Sequence, residues 1–173
     1  MSKEATTHFH GSTSPITEPY RALTHFGTRT AAMARALHHA HRAGRTAIWI
    51  QEVRLDVSRP LAMTDIGQHS VIKMIDHLHY DHRPRRERLP TTARDAVFTA
   101  MQHGREDVAF AAVMRASGWD GLRYLNIHED PGSTSLIVLD GDQVRTVGDC
   151  MRLEFEHAHD LVRAASPWNK NAA

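Results

Sequence analysis

The stretch Gly118–Asp140, with the sequence GWDGLRYLNIHEDPGSTSLIVLD, predicts more of the fold than any other part of this chain. Its centre is polar and acidic, and it contains a Pro-Gly dipeptide that favours a turn. Strand-forming hydrophobic residues stand on either side of that centre: Leu122 and Tyr124 before it, and Leu136 to Leu139 after it. We therefore predict two short strands joined by a loop that holds Glu129 and Asp130, a place where working carboxylates are often found.

Length and composition indicate an ordinary globular protein. The chain has 173 residues, of which 41% are hydrophobic and 24% charged, so we expect one domain with a substantial core. The formal net charge of +1 makes no strong case for nucleic acid or for an anionic membrane surface as partner. The single cysteine, Cys150, excludes an internal disulfide and fits a reducing compartment. No apolar run reaches the roughly 20 residues that span a bilayer, and the N-terminus lacks a signal-peptide core, so we expect a cytoplasmic protein.

The two ends of the chain are expected to be mobile. Residues 1–20 are rich in Thr, Ser, Gly and Pro without periodicity, which predicts a flexible arm. Residues 166–173 are predicted to form a frayed tail. Residues 21–165 would then form the folded domain.

Residues 23–28, LTHFGT, predict a short strand that runs through a glycine into a helix. Thr28 is a suitable N-cap for that helix, which should end at Gly44. A helix N-terminus that follows a strand and a glycine offers backbone N–H groups and a positive dipole end, which favours phosphate.

The remaining segments predict alternating strands and helices, which indicates an α+β fold. Residues 46–57 alternate as a half-buried strand, with Trp49, Val53, Leu55 and Val57 on one face, and Pro60 should end its pairing. Asp65 could cap a helix that continues to Leu78. The other predicted segments are a helix over 91–118 that breaks near Gly104 and ends at Gly118, a turn and short strand over 141–148, and a strand that becomes helical over 151–165.

The Gly118–Asp140 stretch resembles the end of the ADP-ribosyltransferase-like domains found in phage and mobile-element (polyvalent) proteins. Those domains have a Gly-aromatic-Asp-Gly start, a strand, an acidic loop with Gly and Ser, and a closing hydrophobic strand. Their first strand carries a His-aromatic-Gly-Thr motif, which THFGT matches at His25, Gly27 and Thr28. The resemblance covers roughly residues 23–146. It implies a single ADP-ribosyltransferase-like domain with small mixed or antiparallel sheets flanked by helices.

The resemblance implies an enzyme that cleaves NAD and transfers ADP-ribose to a protein, in the host cytoplasm if the protein is phage-encoded. Such a reaction needs a carboxylate near the ribose, where positive charge develops. Glu129 is the first candidate for this carboxylate and Asp130 the second. Residues expected to bind NAD are His25, which would hold the ribose and amide, with Phe26, Gly27, Thr28, Tyr124, Ser133 and Ser135; Phe26, Tyr124 or Trp49 could stack on nicotinamide.

The sequence is also compatible with two other functions. Many members of the family carry a Gly-aromatic-Phe-Thr motif after the first helix, where this chain has GRTAIWIQE. That departure is compatible with a module that binds a nucleotide or a partner without catalysis. The segment His77-Leu78-His79-Tyr80-Asp81-His82 also matches the HxHxDH pattern of zinc hydrolases. The preceding residues favour a helix, however, on which His77 and His79 would point roughly 200° apart, so we assign no metal ligand.

Overall fold

The computed structural model describes residues 7–17, 19–67, 69–80, 84 and 88–165. These residues form a mixed α+β domain with eight strands and five α-helices. In chain order the elements are β1 (His8–Ser12), β2 (His25–Phe26), α1 (Arg29–Arg42), β3 (Ala47–Leu55), β4 (Pro60–Met63), α2 (Val71–Tyr80), α3 (Thr91–Met101), α4 (Glu106–Ala116), β5 (Gly121–Leu125), β6 (Thr134–Val138), a 3₁₀ turn (Gly141–Gln143), β7 (Val144–Thr146), β8 (Met151–Glu154) and α5 (Phe155–Ala165).

The strands form two open sheets. In the first sheet every pairing is antiparallel and β3 is central, with β1 along one side and both β7 and β8 along the other. The second sheet has the order β2-β6-β5-β4, in which only β4 and β5 are parallel. A backbone bridge between Phe9 and Gly27 connects the two sheets at the end of β2.

Each sheet has its own helices and its own hydrophobic core. Helices α1 and α5 pack with β3 and β8 of the first sheet, through residues such as Ala36, Ile48 and Leu153. Helices α2, α3 and α4 pack with β4, β5 and β6 of the second sheet. A third, smaller cluster of Tyr20, Phe26, Val53 and Val138 includes residues from both sheets. Residues on both faces of β3 are buried, whereas β5 alternates, with Arg123 and Leu125 exposed on the face opposite Leu122 and Tyr124.

The predicted hairpin at Gly118–Asp140 is confirmed as β5 and β6, which pair antiparallel with Tyr124 opposite Ser135. The Asp120 carboxylate accepts hydrogen bonds from the backbone N–H of Ser58 at 2.7 Å and from that of Arg59 at 2.7 Å. A side chain on Gly121 would press against Val57. Asp120 and Gly121, at the start of the stretch, therefore hold the segment between β3 and β4 in place. The role of Asp120 is structural.

Several other sequence predictions are confirmed. Thr28 is the N-cap of α1, and its Oγ1 accepts a hydrogen bond from the N–H of Ala31 at 3.1 Å. The helical region after residue 91 is broken at Gly104, which has a φ of +63°. Gly118, with a φ of +85°, follows the last turn of α4 as the sequence predicts. The last segment is a strand followed by a helix, as predicted.

The structure corrects four predictions. The arm predicted over residues 1–20 contains β1, which pairs with β3 along five residues. The pairing of β3 ends at Leu55, before Pro60 as predicted, but Pro60 itself begins β4, an unpredicted edge strand in which a missing N–H can be tolerated. Helix α2 begins only at Val71, and Asp65 is bonded elsewhere. In β3 only the C-terminal half alternates, since Ile48 and Ile50 pack on α1 while Val53 packs on the opposite face.

Residues 166–173, which we predicted to be a frayed tail, lie outside the described residues. Within the described ranges, no helix combines the length and the hydrophobicity that crossing a bilayer requires.

Candidate functional site

The candidate site lies where β2, β5, the β5–β6 loop and α1 meet. Strands β2 and β5 flank β6, with His25 opposite Ile137 and Tyr124 opposite Ser135. Because Ser135 and Ile137 are two residues apart, all four side chains project from the same face of the sheet. The sheet register therefore brings His25 of the first motif next to Tyr124 of the second.

A chain of polar contacts connects these two residues to the loop carboxylate. Nδ1 of His25 lies 3.0 Å from the hydroxyl oxygen of Tyr124. The Nη1 of Arg35, on α1, donates to that same hydroxyl at 3.3 Å and to Oε1 of Glu129 at 3.2 Å. Since the Tyr124 oxygen accepts from Arg35, its own proton is available for His25 Nδ1. The order of contacts is thus His25, Tyr124, Arg35 and Glu129.

Burial fixes the charge state of the two ring residues. Burial lowers the pKa of His25 well below its ordinary value, and the nearby Arg35 and His69 lower it further. Burial also raises the pKa of Tyr124 to about 12, although Arg35 opposes the shift. At neutral pH a neutral imidazole therefore faces a protonated phenol, and this pair can form the hydrogen bond of 3.0 Å.

Glu129 has one paired oxygen and one without a partner. Its Oε1 is held by Arg35, in an ion pair whose two side chains are 25% and 21% exposed. Its Oε2 is buried and has no hydrogen-bond partner among the described residues. A buried, unsatisfied acceptor costs free energy unless something donates to it. This oxygen is therefore positioned to accept a hydrogen bond from a ligand hydroxyl.

Asp130, the second candidate carboxylate, is occupied. Its Oδ2 accepts a short hydrogen bond from Oγ1 of Thr28, the residue that caps α1. The contact connects the acidic loop to the start of the helix, where a negative charge is favourable. Asp130 thus fixes the loop through this oxygen. Glu129 differs from it in having a buried oxygen without a hydrogen-bond partner among the described residues.

The predicted polar residues Ser133 and Ser135 form hydrogen bonds that hold the end of the loop. The Nδ2 of buried Asn126 donates to Ser133 Oγ at 2.8 Å and to Ser135 Oγ at 2.9 Å. A side chain on Gly27 would come within 2.6 Å of Ser135 Oγ, so this glycine lets the backbone after β2 approach the loop. Ser135, Gly27 and Asn126 also line a small cavity of about 10 Å³, together with His25 and Glu129.

The predicted site omitted two residues of β1, His10 and Gly11. Nδ1 of His10 lies 3.0 Å from the carbonyl oxygen of His25, to which it can donate, and burial lowers the pKa of His10. Gly11 lines the small cavity, and a side chain there would overlap the carbonyl oxygen of Ala32 in α1. Both lie within residues 1–20, whose Thr, Ser, Gly and Pro content without periodicity led to the prediction of a flexible arm.

Arg35 and His69 were also not predicted as site residues. Arg35 lies in the apolar stripe of α1 beside Ala31, Ala32 and Ala36. A charged residue in such a stripe is unusual, and this could have identified Arg35 from the sequence. His69 precedes α2, and its ring centroid lies 4.3 Å from that of Tyr124. No local pattern marks His69, because its burial depends on the packing of segments that are distant in the sequence.

A larger cleft of about 620 Å³ adjoins the small cavity. Arg35 and Glu129 line both spaces, so their ion pair lies where the two meet. The aromatic residues that we expected to stack on nicotinamide do not line this cleft. Phe26 and Tyr124 are 1% and 2% exposed, and Trp49 lies on the first sheet with the Arg152 guanidinium 5.8 Å from its ring centre.

The metal pattern can be followed only in part. His77 and His79 lie on α2, and His79 Nδ1 is 3.0 Å from the carbonyl oxygen of Leu89. Asp81 and His82 lie outside the described residues. Across the described ranges, no group of three or more His, Cys, Asp or Glu side chains could hold a metal ion.

Comparison of the chain with protein-family models, with curated proteins and with solved structures found no match.

Proposed function

We propose that this chain is a mono-ADP-ribosyltransferase with an ADP-ribosyltransferase-like fold, which cleaves NAD and transfers ADP-ribose to a protein. The proposal depends on the hydrogen bonding of the Glu129 carboxylate. One of its oxygens accepts from Arg35, and the other is buried without a hydrogen-bond partner among the described residues. The resemblance of the two sequence motifs supplies the reaction class. The contacts that connect those motifs in space support it.

In the proposed reaction the bond between ribose C1 and the nicotinamide nitrogen breaks, and nicotinamide leaves with the electron pair. A nucleophile of the target protein then attacks C1 and loses its proton. Positive charge develops on the ribose during the first step, and a carboxylate nearby stabilises it. Oε2 of Glu129 would accept a hydrogen bond from the ribose 2-OH, while Arg35 holds the carboxylate in position.

His25 and Tyr124 form the wall of the site in this proposal. Their hydrogen bond fixes both rings, and neutral His25 adds no positive charge next to the developing cation. Thr28 and Gly27 bring the N-terminus of α1 against the acidic loop, through Asp130 and Ser135. The reaction would take place in the cytoplasm, which is that of a host cell if the protein is phage-encoded.

Release of nicotinamide from NAD tests the proposal before any target is known. Purified protein is incubated with NAD, with and without a cell lysate, and free nicotinamide is measured by chromatography. Glu129→Gln should lower the rate by about 100-fold or more, because it removes the charge but keeps the size. Glu156→Gln, an exposed residue on α5, is the matched control and should leave the rate unchanged. Equal rates in wild type and Glu129→Gln would contradict the proposal.

A second function, a module that binds a nucleotide without cleaving it, is favoured by one observation. None of the aromatic rings that we expected to stack on nicotinamide lines the large cleft. Calorimetry distinguishes the two functions. Binding of NAD with no nicotinamide release in the presence of lysate would support the module, whereas release that depends on Glu129 would support the transferase.

A further inference from the structure

The large cleft is lined on one side by a basic stripe on α1. Arg35, His38, His39 and Arg42 stand at positions i, i+3, i+4 and i+7, which lie on one face of a helix. At a rise of 1.5 Å per residue the stripe is roughly 10 Å long. His69 and His128 line the cleft from other segments.

Arg42 gives this cleft a positive charge that no carboxylate among the described lining residues balances. Glu129 is the only carboxylate that lines it among the described residues, and it is already paired with Arg35. Arg42 is exposed and forms no ion pair within the described ranges. The cationic form of His39 is disfavoured by partial burial and then by Arg35, His38 and Arg42, so its pKa is lowered. An anion in the cleft would favour the protonated form of His39.

His69 gives a second, independent indication of a ligand. Its side chain is 1% exposed, and neither ring nitrogen has a hydrogen-bond partner among the described residues. The Oδ1 of Asp65 lies 3.7 Å from His69 Nε2, beyond hydrogen-bond distance. A buried ring whose nitrogens have no hydrogen-bond partner among the described residues, at the wall of a cleft, is explained if a bound molecule completes its hydrogen bonds.

We infer that this cleft binds the pyrophosphate group of a nucleotide. Guanidinium groups match phosphate oxygens with two parallel N–H donors, and imidazole N–H groups add single donors. The stripe is long enough for two linked phosphates, and a volume of about 620 Å³ is within the range of small-molecule sites. The inference rests on the proposed function only in naming a nucleotide as the source of the phosphates.

Calorimetry with inorganic pyrophosphate and with ADP tests the inference on the full chain. Both should bind, with ADP binding more tightly. Arg42→Gln should weaken both by about 10-fold, because it removes a charged donor from an exposed position without disturbing the core. Arg45→Gln is the matched control, since Arg45 is an exposed arginine just after α1 that does not line the cleft. It should leave both affinities unchanged.

Three results would overturn the inference: no binding of pyrophosphate, an equal effect of Arg42→Gln and Arg45→Gln, or ADP binding no more tightly than pyrophosphate. A short single-stranded oligonucleotide that binds more tightly than ADP would also overturn it, in favour of nucleic acid. The outcome is distinguishable from that of the proposed function. Pyrophosphate binding that depends on Arg42, without nicotinamide release, would support this site and contradict the transferase.

Discussion

The hydroxyl of Tyr124 lies 3.0 Å from Nδ1 of His25, and this contact joins two strands that flank a third. The residues are 99 positions apart in the sequence. His25 belongs to the first sequence motif and Tyr124 to the second. Their hydrogen bond therefore shows that the two motifs meet in space. It also makes the Tyr124 hydroxyl the branch point between His25 and Arg35.

Tyr124→Phe should lower both stability and activity. The ring keeps its packing, but His25 Nδ1 loses its donor and is left buried, which costs about 1–3 kcal/mol. Chemical unfolding should show this loss of free energy, and the rate of nicotinamide release should fall with it. Unchanged stability would mean that the hydroxyl contact does not form in solution.

Stability should fall as the pH is lowered from 7 to 4, partly because of His69. Burial and Arg35 lower the pKa of His69 to about 4 from an ordinary 6.5, although Asp65 opposes the shift. The unfolded chain therefore binds a proton in this window that the folded chain does not, so the free energy of unfolding decreases as the pH falls. Well above pH 6.5, where the imidazole is neutral in both the folded and the unfolded chain, this contribution is constant.

The test compares urea unfolding at pH 7 and pH 5 for wild type and His69→Gln. The wild type should lose more free energy than the variant over this interval. His157→Gln, which changes an exposed histidine of α5, is the control and should behave like wild type. Identical pH dependence in wild type and His69→Gln would show that His69 titrates normally.

The sequence predicted those parts of the fold that depend on local patterns. The β5–β6 hairpin follows from a Pro-Gly turn between hydrophobic runs, and the start of α1 follows from Thr28. The strand β1 was missed because its partner, β3, is about 40 residues away and pairing at that distance leaves no local trace. The strand β4 was missed because it begins at Pro60, which an edge strand tolerates.

In the candidate site, too, residues within local motifs could be predicted and residues brought in by tertiary packing could not. His25 and Glu129 could be chosen because each belongs to a motif within one short stretch. Arg35 and His69 could not, since their importance comes from α1 and the start of α2 packing against β5. The pattern of α1 still contained a usable sign, because a charged residue in a stripe of alanines needs a partner.

Gly11→Ala should destabilise the protein because β1 packs directly on α1 at this position. The added Cβ would overlap the carbonyl oxygen of Ala32, which is helix backbone that cannot rotate away. Overpacking of this kind costs about 1–3 kcal/mol. Ser12→Ala on the same strand is the control and should change the free energy of unfolding by less than about 0.5 kcal/mol. Equal effects of the two variants would show that β1 does not lie against α1.

Thr28→Val should lower stability by about 1 kcal/mol and also loosen the acidic loop. Valine has the same shape as threonine, but it can neither accept from the Ala31 N–H nor donate to Asp130. Thr28→Ser retains the hydroxyl and should restore most of the stability in the same unfolding assay. If serine fails to restore it, the contribution of Thr28 comes from its methyl group.

Asp65→Ala should be more damaging than an ordinary change of a polar residue, because Asp65 connects two segments. Its Oδ1 accepts from the N–H of Gly67 at 2.9 Å, and its Oδ2 accepts from the N–H of Ile127 at 3.0 Å. The second bond holds the start of the loop that carries Glu129, two residues further on. Loss of both acceptors leaves two amides unsatisfied and should cost about 2–4 kcal/mol in chemical unfolding.

Asp65→Asn separates this fold contribution from the electrostatic effect on His69. The amide keeps one oxygen acceptor and the side-chain volume, so the loss of stability should be smaller than for alanine. It removes the negative charge 3.7 Å from His69 Nε2, which should lower the pKa of that imidazole further, since Asp65 raises it. Titration of the histidine ring by NMR measures this shift, and a rise in the His69 pKa in Asp65→Asn would contradict the assigned contact.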